Sequence, residues 1–241
     1  MHNGEIARDD ISRRLIVALD VPTYAEASAI VTDLGDAVHF YKIGLELLFD
    51  GGLRLAQELR DSGKLVFLDM KFLDIGNTVE KAVRNAARLG VNFLTIHAVD
   101  RKTLRAARDG RGDSGLKLLG VTVLTSLTTD DLKEQGISEK PSELVLRRAK
   151  MAQEEGLDGV IASGHEAASI RQMAGKSFTI VTPGIRPSGS AANDQARAMT
   201  PEAAIRAGAD HLVVGRPILG APDRRKAALD IQAEIRAALS A

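Results

Sequence analysis

Eight short apolar runs, most of them followed by a segment with helical periodicity, leave few ways to fold this chain. The runs fall at residues 15–19, 38–43, 65–68, 91–96, 116–124, 159–162, 178–181 and 211–214. Helical spacing is read at 24–34, 52–62, 75–89, 102–108, 142–155, 166–173 and 201–207, and a last helix at 222–239. Strands alternating with helices imply a parallel sheet with right-handed crossovers. The strands read as continuous apolar runs, as strands covered on both faces should. Eight such units in 241 residues point to an α/β fold closed into a (β/α)8 TIM barrel. The rival doubly wound sheet carries a glycine fingerprint after its first strand. Here that strand ends Ala18-Leu19-Asp20-Val21-Pro22, without glycine. The expectation is a polar N-terminal segment over 1–12 and one barrel domain over 13–241.

Composition narrows the function classes. Lys plus Arg and Asp plus Glu are 32 each, so the basic excess that nucleic-acid or membrane-surface binding needs is missing. Tryptophan is absent and aromatics are 3%, too few for a base-stacking platform. With no cysteine, disulfides, thiolate metal sites and a cysteine nucleophile are excluded. Residues 1–12 lack the apolar stretch of a signal peptide, and no apolar run is long enough to span a bilayer. A cytoplasmic protein is expected, with no nucleic-acid or membrane partner.

The most chemically loaded stretch is Leu68–Thr78, LDMKFLDIGNT. Side chains on a strand alternate faces, so Asp69 and Lys71 point one way and Met70 the other. Asp74 follows where Gly76 and Asn77 signal a loop. This acid–base–acid row favours a protonated Lys71. A held ammonium is both a proton donor and a positive field, suited to a reaction that builds negative charge on carbon and then protonates it. Taken alone, such a pair is more often an ordinary strand-end ion pair.

Barrel enzymes collect function at the carboxyl ends of their strands. The polar groups read there are Asp20, Lys42 before Gly44, Asp69 with Lys71, His97, Thr125 with Ser126, and Ser163. Strand seven runs into Thr182-Pro183-Gly184-Ile185-Arg186-Pro187, and strand eight into Gly215-Arg216-Pro217. Loops after strands seven and eight are the recurrent phosphate site of this fold, and arginine suits phosphate through paired donors. The Gly/Ser-rich stretch 184–195 could fold over that phosphate and exclude water. The default for His97 is packing or hydrogen bonding, and His39, among apolar neighbours, reads as structural. Residues 109–115, DGRGDSG, read as a polar loop. No paired histidines or clustered carboxylates mark a metal site. There is no nucleophile elbow and no P-loop.

Together these segments resemble the orotidine 5'-phosphate decarboxylase family in its bacterial form. The core is Asp69-Met70-Lys71-Phe72-Leu73-Asp74-Ile75 with Gly76-Asn77-Thr78, joined by the strand-end segments in the family's order and spacing. The resemblance implies conversion of orotidine 5'-phosphate to UMP and CO2 without a cofactor or metal. It implies that Lys71 protonates C6, that Asp69 sits near the substrate carboxylate, and that Lys42 completes the charged row. Asp20 and Lys42 would hold ribose hydroxyls, Thr125 and Ser126 would contact the base, and Arg186, Gln195, Gly215 and Arg216 would bind phosphate. Asp74 and Thr78 would reach into the other site of a homodimer. Two rivals remain open: a Mg²⁺-dependent sugar-phosphate decarboxylase or aldolase of the same superfamily, and a non-catalytic nucleotide-phosphate sensor.

Overall fold

In the computed structural model, which describes residues 8–187 and 199–240, the eight runs become eight parallel strands in one closed barrel, ordered β1 to β8. They are β1 (Leu15–Ala18), β2 (Phe40–Gly44), β3 (Leu65–Phe72), β4 (Phe93–His97), β5 (Lys117–Val121), β6 (Gly159–Ile161), β7 (Thr179–Thr182) and β8 (His211–Val214). β1 pairs with both β2 and β8, which closes the ring.

The α-helices run in chain order around the barrel. They are α1 (Arg8–Arg14), α2 (Tyr24–Leu34), α3 (Leu45–Leu47), α4 (Leu53–Asp61), α5 (Gly76–Arg88), α6 (Arg101–Arg111), α7 (Thr129–Glu134), α8 (Pro141–Glu154), α9 (Gly164–Ala174), α10 (Pro201–Arg206), α11 (Arg216–Leu219) and α12 (Arg224–Leu239). Many start on a side-chain cap that satisfies a free N–H. Thr23 caps α2, Asp100 caps α6, Ser163 caps α9 and Asp223 caps α12. None among the described residues is long and apolar enough to cross a membrane. Within the expected polar N-terminal segment, Ile11 of α1 is fully buried in the core.

Period two sorts the strand residues into two cores. Leu15, Val17 and Leu19 join the outer layer between strands and helices. Ile16, Ala18, Phe40, Phe67, Phe93, Leu119, Val181 and Val213 fill the barrel itself. Its floor is aromatic: Phe93 meets Phe40 edge-on at 5.0 Å and His211 at 5.2 Å. The barrel is therefore a packed core, and inward positions become polar only above it. Two residues on from inward Phe40 stands Lys42, from Phe67 Asp69, and from Phe93 Thr95.

Two expectations are corrected. Asp109, Gly110 and Arg111 are not loop; they are the last turn of α6. Gly110 lets α6 lie directly on α5, since a Cβ there would sit 2.3 Å from the Glu80 carbonyl oxygen. Strand five stops at Val121 rather than 124. Thr122 donates its hydroxyl to the Ile161 carbonyl at 3.0 Å, and the chain turns with Leu127 N–H bonded to Leu124 O.

Candidate active site

β3 departs from a regular strand where it matters most. Its pairing with β4 runs Phe67↔Phe93 and Leu68↔Leu94, then jumps to Phe72↔Ile96. Asp69, Met70 and Lys71 therefore stand against Thr95 alone. Such a bulge re-aims side chains. Lys71 takes φ +49°, the one positive φ outside glycine among the described residues. This conformation costs a non-glycine residue on the order of 1–3 kcal/mol and persists only where the surroundings enforce it. The expected Asp69–Lys71 pairing is present, but a bulge accompanies it where simple alternation was expected. Met70 does point the other way, into the outer core.

The charges form a chain across the barrel mouth. Lys71 Nζ donates to Asp69 Oδ1 at 2.8 Å. Lys42 Nζ donates to Asp20 Oδ1 at 2.8 Å and lies 3.5 Å from Asp69 Oδ2. Lys42 is buried and Asp69 nearly so, while Lys71 and Asp20 are partly open to solvent. A buried ion is tolerated only when paired and hydrogen-bonded, and here each charge has an opposite neighbour. Burial pushes the Asp69 carboxyl up, but Lys42, Lys71 and a hydroxyl from Thr95 outweigh it and hold the group below the usual carboxylate range. His97, half-buried at the end of β4, is pushed below the ordinary imidazole range by burial, then by Lys71 and Arg148.

These groups border a cavity of about 460 Å³ at the carboxyl ends of the strands, a size that suits a small ligand. Asp20, Lys42, Asp69 and Lys71 line it together with Arg186, Gly215 and Arg216, and a Cβ on Gly215 would lie 3.9 Å from Asp20 Oδ2. Phe67, Val121, Ile161 and Val213 supply an apolar floor. Arg186 is buried and donates to the Ile185 carbonyl at 2.9 Å. The base of its loop is tied by Arg186 N–H to Met199 O at 2.9 Å. Gly44 keeps clearance: a Cβ there would lie 3.0 Å from Lys42 Nζ and 3.2 Å from Asp20 Oδ1.

The remaining sequence candidates are divided. Thr125 lines the cavity; Ser126 is exposed and does not. Asp74 does not complete a row with Lys71 in its own chain. Its carboxylate accepts the Ile75 N–H at 2.6 Å, and Asp74 and Thr78 are both exposed outside the cavity. The loop after Phe72 carries them beyond the rim. Gln195 lies outside the described residues. Sequence reasoning missed Thr95, which is fully buried beneath the charges. The available signal was its inward phase on β4, two residues before His97.

A closed parallel barrel with a lysine–aspartate network above a packed floor has the layout of a (β/α)8-barrel enzyme. The chain belongs to the orotidine 5'-phosphate decarboxylase / HUMPS family, whose model matches residues 13–231. It is similar to the crystal structure of orotidine 5'-phosphate decarboxylase from Lactobacillus acidophilus, with 38% identity and a TM-score of 0.81, covering 92% of this chain and 98% of that one. It is also similar to an uncharacterized conserved protein from Geobacillus kaustophilus, with 34% identity and a TM-score of 0.78, covering 92% and 99%.

Proposed function

We propose that the chain decarboxylates orotidine 5'-phosphate to UMP and CO2, the last step of pyrimidine nucleotide synthesis, in the cytoplasm. The observation that carries this reading is the Asp20–Lys42–Asp69–Lys71 network sharing one cavity with Arg186 and Arg216. A ligand that carries both a phosphate and a reacting ring matches that combination of groups.

The chemistry follows from the charges. The C6–carboxylate bond breaks, CO2 leaves, and its electron pair stays on C6. No ring nitrogen delocalises that pair as an organic electron sink would. The Lys71 ammonium meets the developing charge and then gives C6 a proton, leaving a neutral amine. Fixed charge in a water-poor site is worth far more than in water. In this reading Asp69 sets a like charge against the departing carboxylate. Arg186 and Arg216, with Gly215 and Gln195, bind phosphate, and that remote binding energy is expressed at the transition state. Thr125, which lines the cavity, contacts the base, and Asp20 with Lys42 holds the ribose.

The Mg²⁺-dependent sugar-phosphate alternative is disfavoured by Lys42. Its ammonium fills the space between the Asp20 and Asp69 carboxylates, where a divalent cation would need to sit. We further propose a homodimer in which Asp74 and Thr78 enter the partner's cavity. Leu45 and Phe49, which follow β2, and Leu73 and Ile75, which follow β3, are exposed apolar side chains that such a contact would cover.

An ultraviolet assay on orotidine 5'-phosphate, with and without EDTA, tests the reading. Turnover that survives chelator supports it. Turnover lost with chelator favours the metal-dependent branch, and UMP binding without turnover favours a sensor.

A further inference from the structure

Thr95 is fully buried, yet both functions of its hydroxyl are engaged by the two central site residues. Its Oγ1 accepts the backbone N–H of Lys71 at 2.9 Å. The same hydroxyl donates to Asp69 Oδ1 at 3.0 Å, the oxygen that also takes the Lys71 ammonium. Lys71 sits in the bulge, so its N–H is met by a side chain and not by a β4 carbonyl. A buried N–H without a partner is costly, and the left-handed backbone at Lys71 needs an outside restraint. One hydroxyl supplies both the partner and the restraint. Its proton must point at Asp69, because its lone pair faces the Lys71 N–H.

We infer that Thr95 is a positioning residue: its hydroxyl holds the Lys71 backbone in the bulge and fixes the Asp69 oxygen that aims the Lys71 ammonium. This rests on the decarboxylase reading for its effect on rate, though the geometric part stands without it. Thr95 borders none of the cavity, so it acts through Asp69 and Lys71. Valine matches threonine in shape but lacks the hydroxyl, and serine keeps the hydroxyl but lacks the methyl.

The experiment compares wild type, Thr95→Val, Thr95→Ser and Thr95→Ala by turnover of orotidine 5'-phosphate, UMP affinity, thermal melting and crystal structure. In Thr95→Val, kcat is expected to fall about 10²-fold, the scale of a displacement of about 1 Å at a reacting group. UMP affinity should change little, because the phosphate and base contacts are untouched. Lys71 should leave its positive φ, or its ammonium should leave Asp69. Thr95→Ser should restore most of kcat and the wild-type geometry. Unchanged kcat in Thr95→Val, or an equal loss in Thr95→Ser, overturns the inference. If valine prevents folding, Thr95→Ala carries the same comparison. If wild type proves inactive on orotidine 5'-phosphate, the functional reading fails. The variant structures still decide the positioning role, and an undisturbed Lys71 in Thr95→Val sinks it.

Discussion

Lys71 Nζ and Asp69 Oδ1 lie 2.8 Å apart across a β-bulge that opposes three residues of β3 to one of β4. Both residues line the cavity, and Lys42, Lys71 and Thr95 outweigh burial to hold the Asp69 carboxyl below the usual carboxylate range. Losing one preorganised electrostatic partner costs about 10²–10³ in rate. Lys71 would supply the proton as well, so Lys71→Ala should lose more than 10³ in kcat. Steady-state ultraviolet kinetics check this. A loss below tenfold would remove Lys71 from the chemistry.

Arg216 opens α11 just after Gly215 and lines the same cavity as the charged network. If it binds the phosphate, it contributes to the transition state from a distance. Arg216→Ala should lower kcat/KM markedly, and added phosphite dianion should regain much of the loss, since a free dianion can refill the vacated contact. Unchanged turnover would place the phosphate elsewhere.

Glu155, away from the cavity, takes Arg105 at 2.7 Å and 3.1 Å and Arg101 at 2.6 Å. Hydrogen bonds from Arg105 first, then Arg101, pull its carboxyl down to about 2. A depressed carboxylate stabilises the fold above its unfolded value, near 4.3, and loses that contribution as pH falls through the folded one. Glu155→Gln cannot ionise. Wild type should melt above the variant at neutral pH, and the gap should narrow as pH drops from about 5 towards 2. Melting curves across that range test it; a constant gap refutes the assignment.

Gly110 marks a packing contact that no local pattern announces. The flanking DGRGDSG reads as loop because glycine and aspartate dominate it, yet Gly110 is helical and pressed on Glu80. Gly110→Ala forces α5 and α6 apart. It should destabilise by about 1–3 kcal/mol or more, as overpacking does. The denaturant midpoint should fall with little change in slope.

The barrel was legible because its strands are buried on both faces, so each is an uninterrupted apolar run. α2 begins and ends as expected because Thr23 caps one end and Gly35 the other. Asp20, Lys42, Asp69 and Lys71 were legible because charge at the end of an apolar strand stands out. Thr95 was not, being neutral and small. The bulge was not legible either, because it depends on pairing between β3 and β4 rather than on either strand alone. Ser126 was misplaced relative to the cavity because β5 ends earlier than its apolar run. Asp74 falls outside its own chain's network because the loop after Phe72 leads outward, a path that residue spacing does not encode.

That outward path makes the proposed dimer testable. Asp74 and Thr78 are exposed at the start of α5, beside exposed Leu73 and Ile75. In a two-fold dimer, each patch meets its own copy, so a residue lent by one subunit is returned by the other. Lys71→Ala and Asp74→Ala chains should each be nearly inactive alone. Refolded together, half of the dimers become hybrids, each with one intact site, so about a quarter of wild-type activity should return. If Asp74 instead served its own chain, every site in the hybrids would lack one residue and no activity would reappear. Activity of the mixture, measured against each variant alone, separates the two.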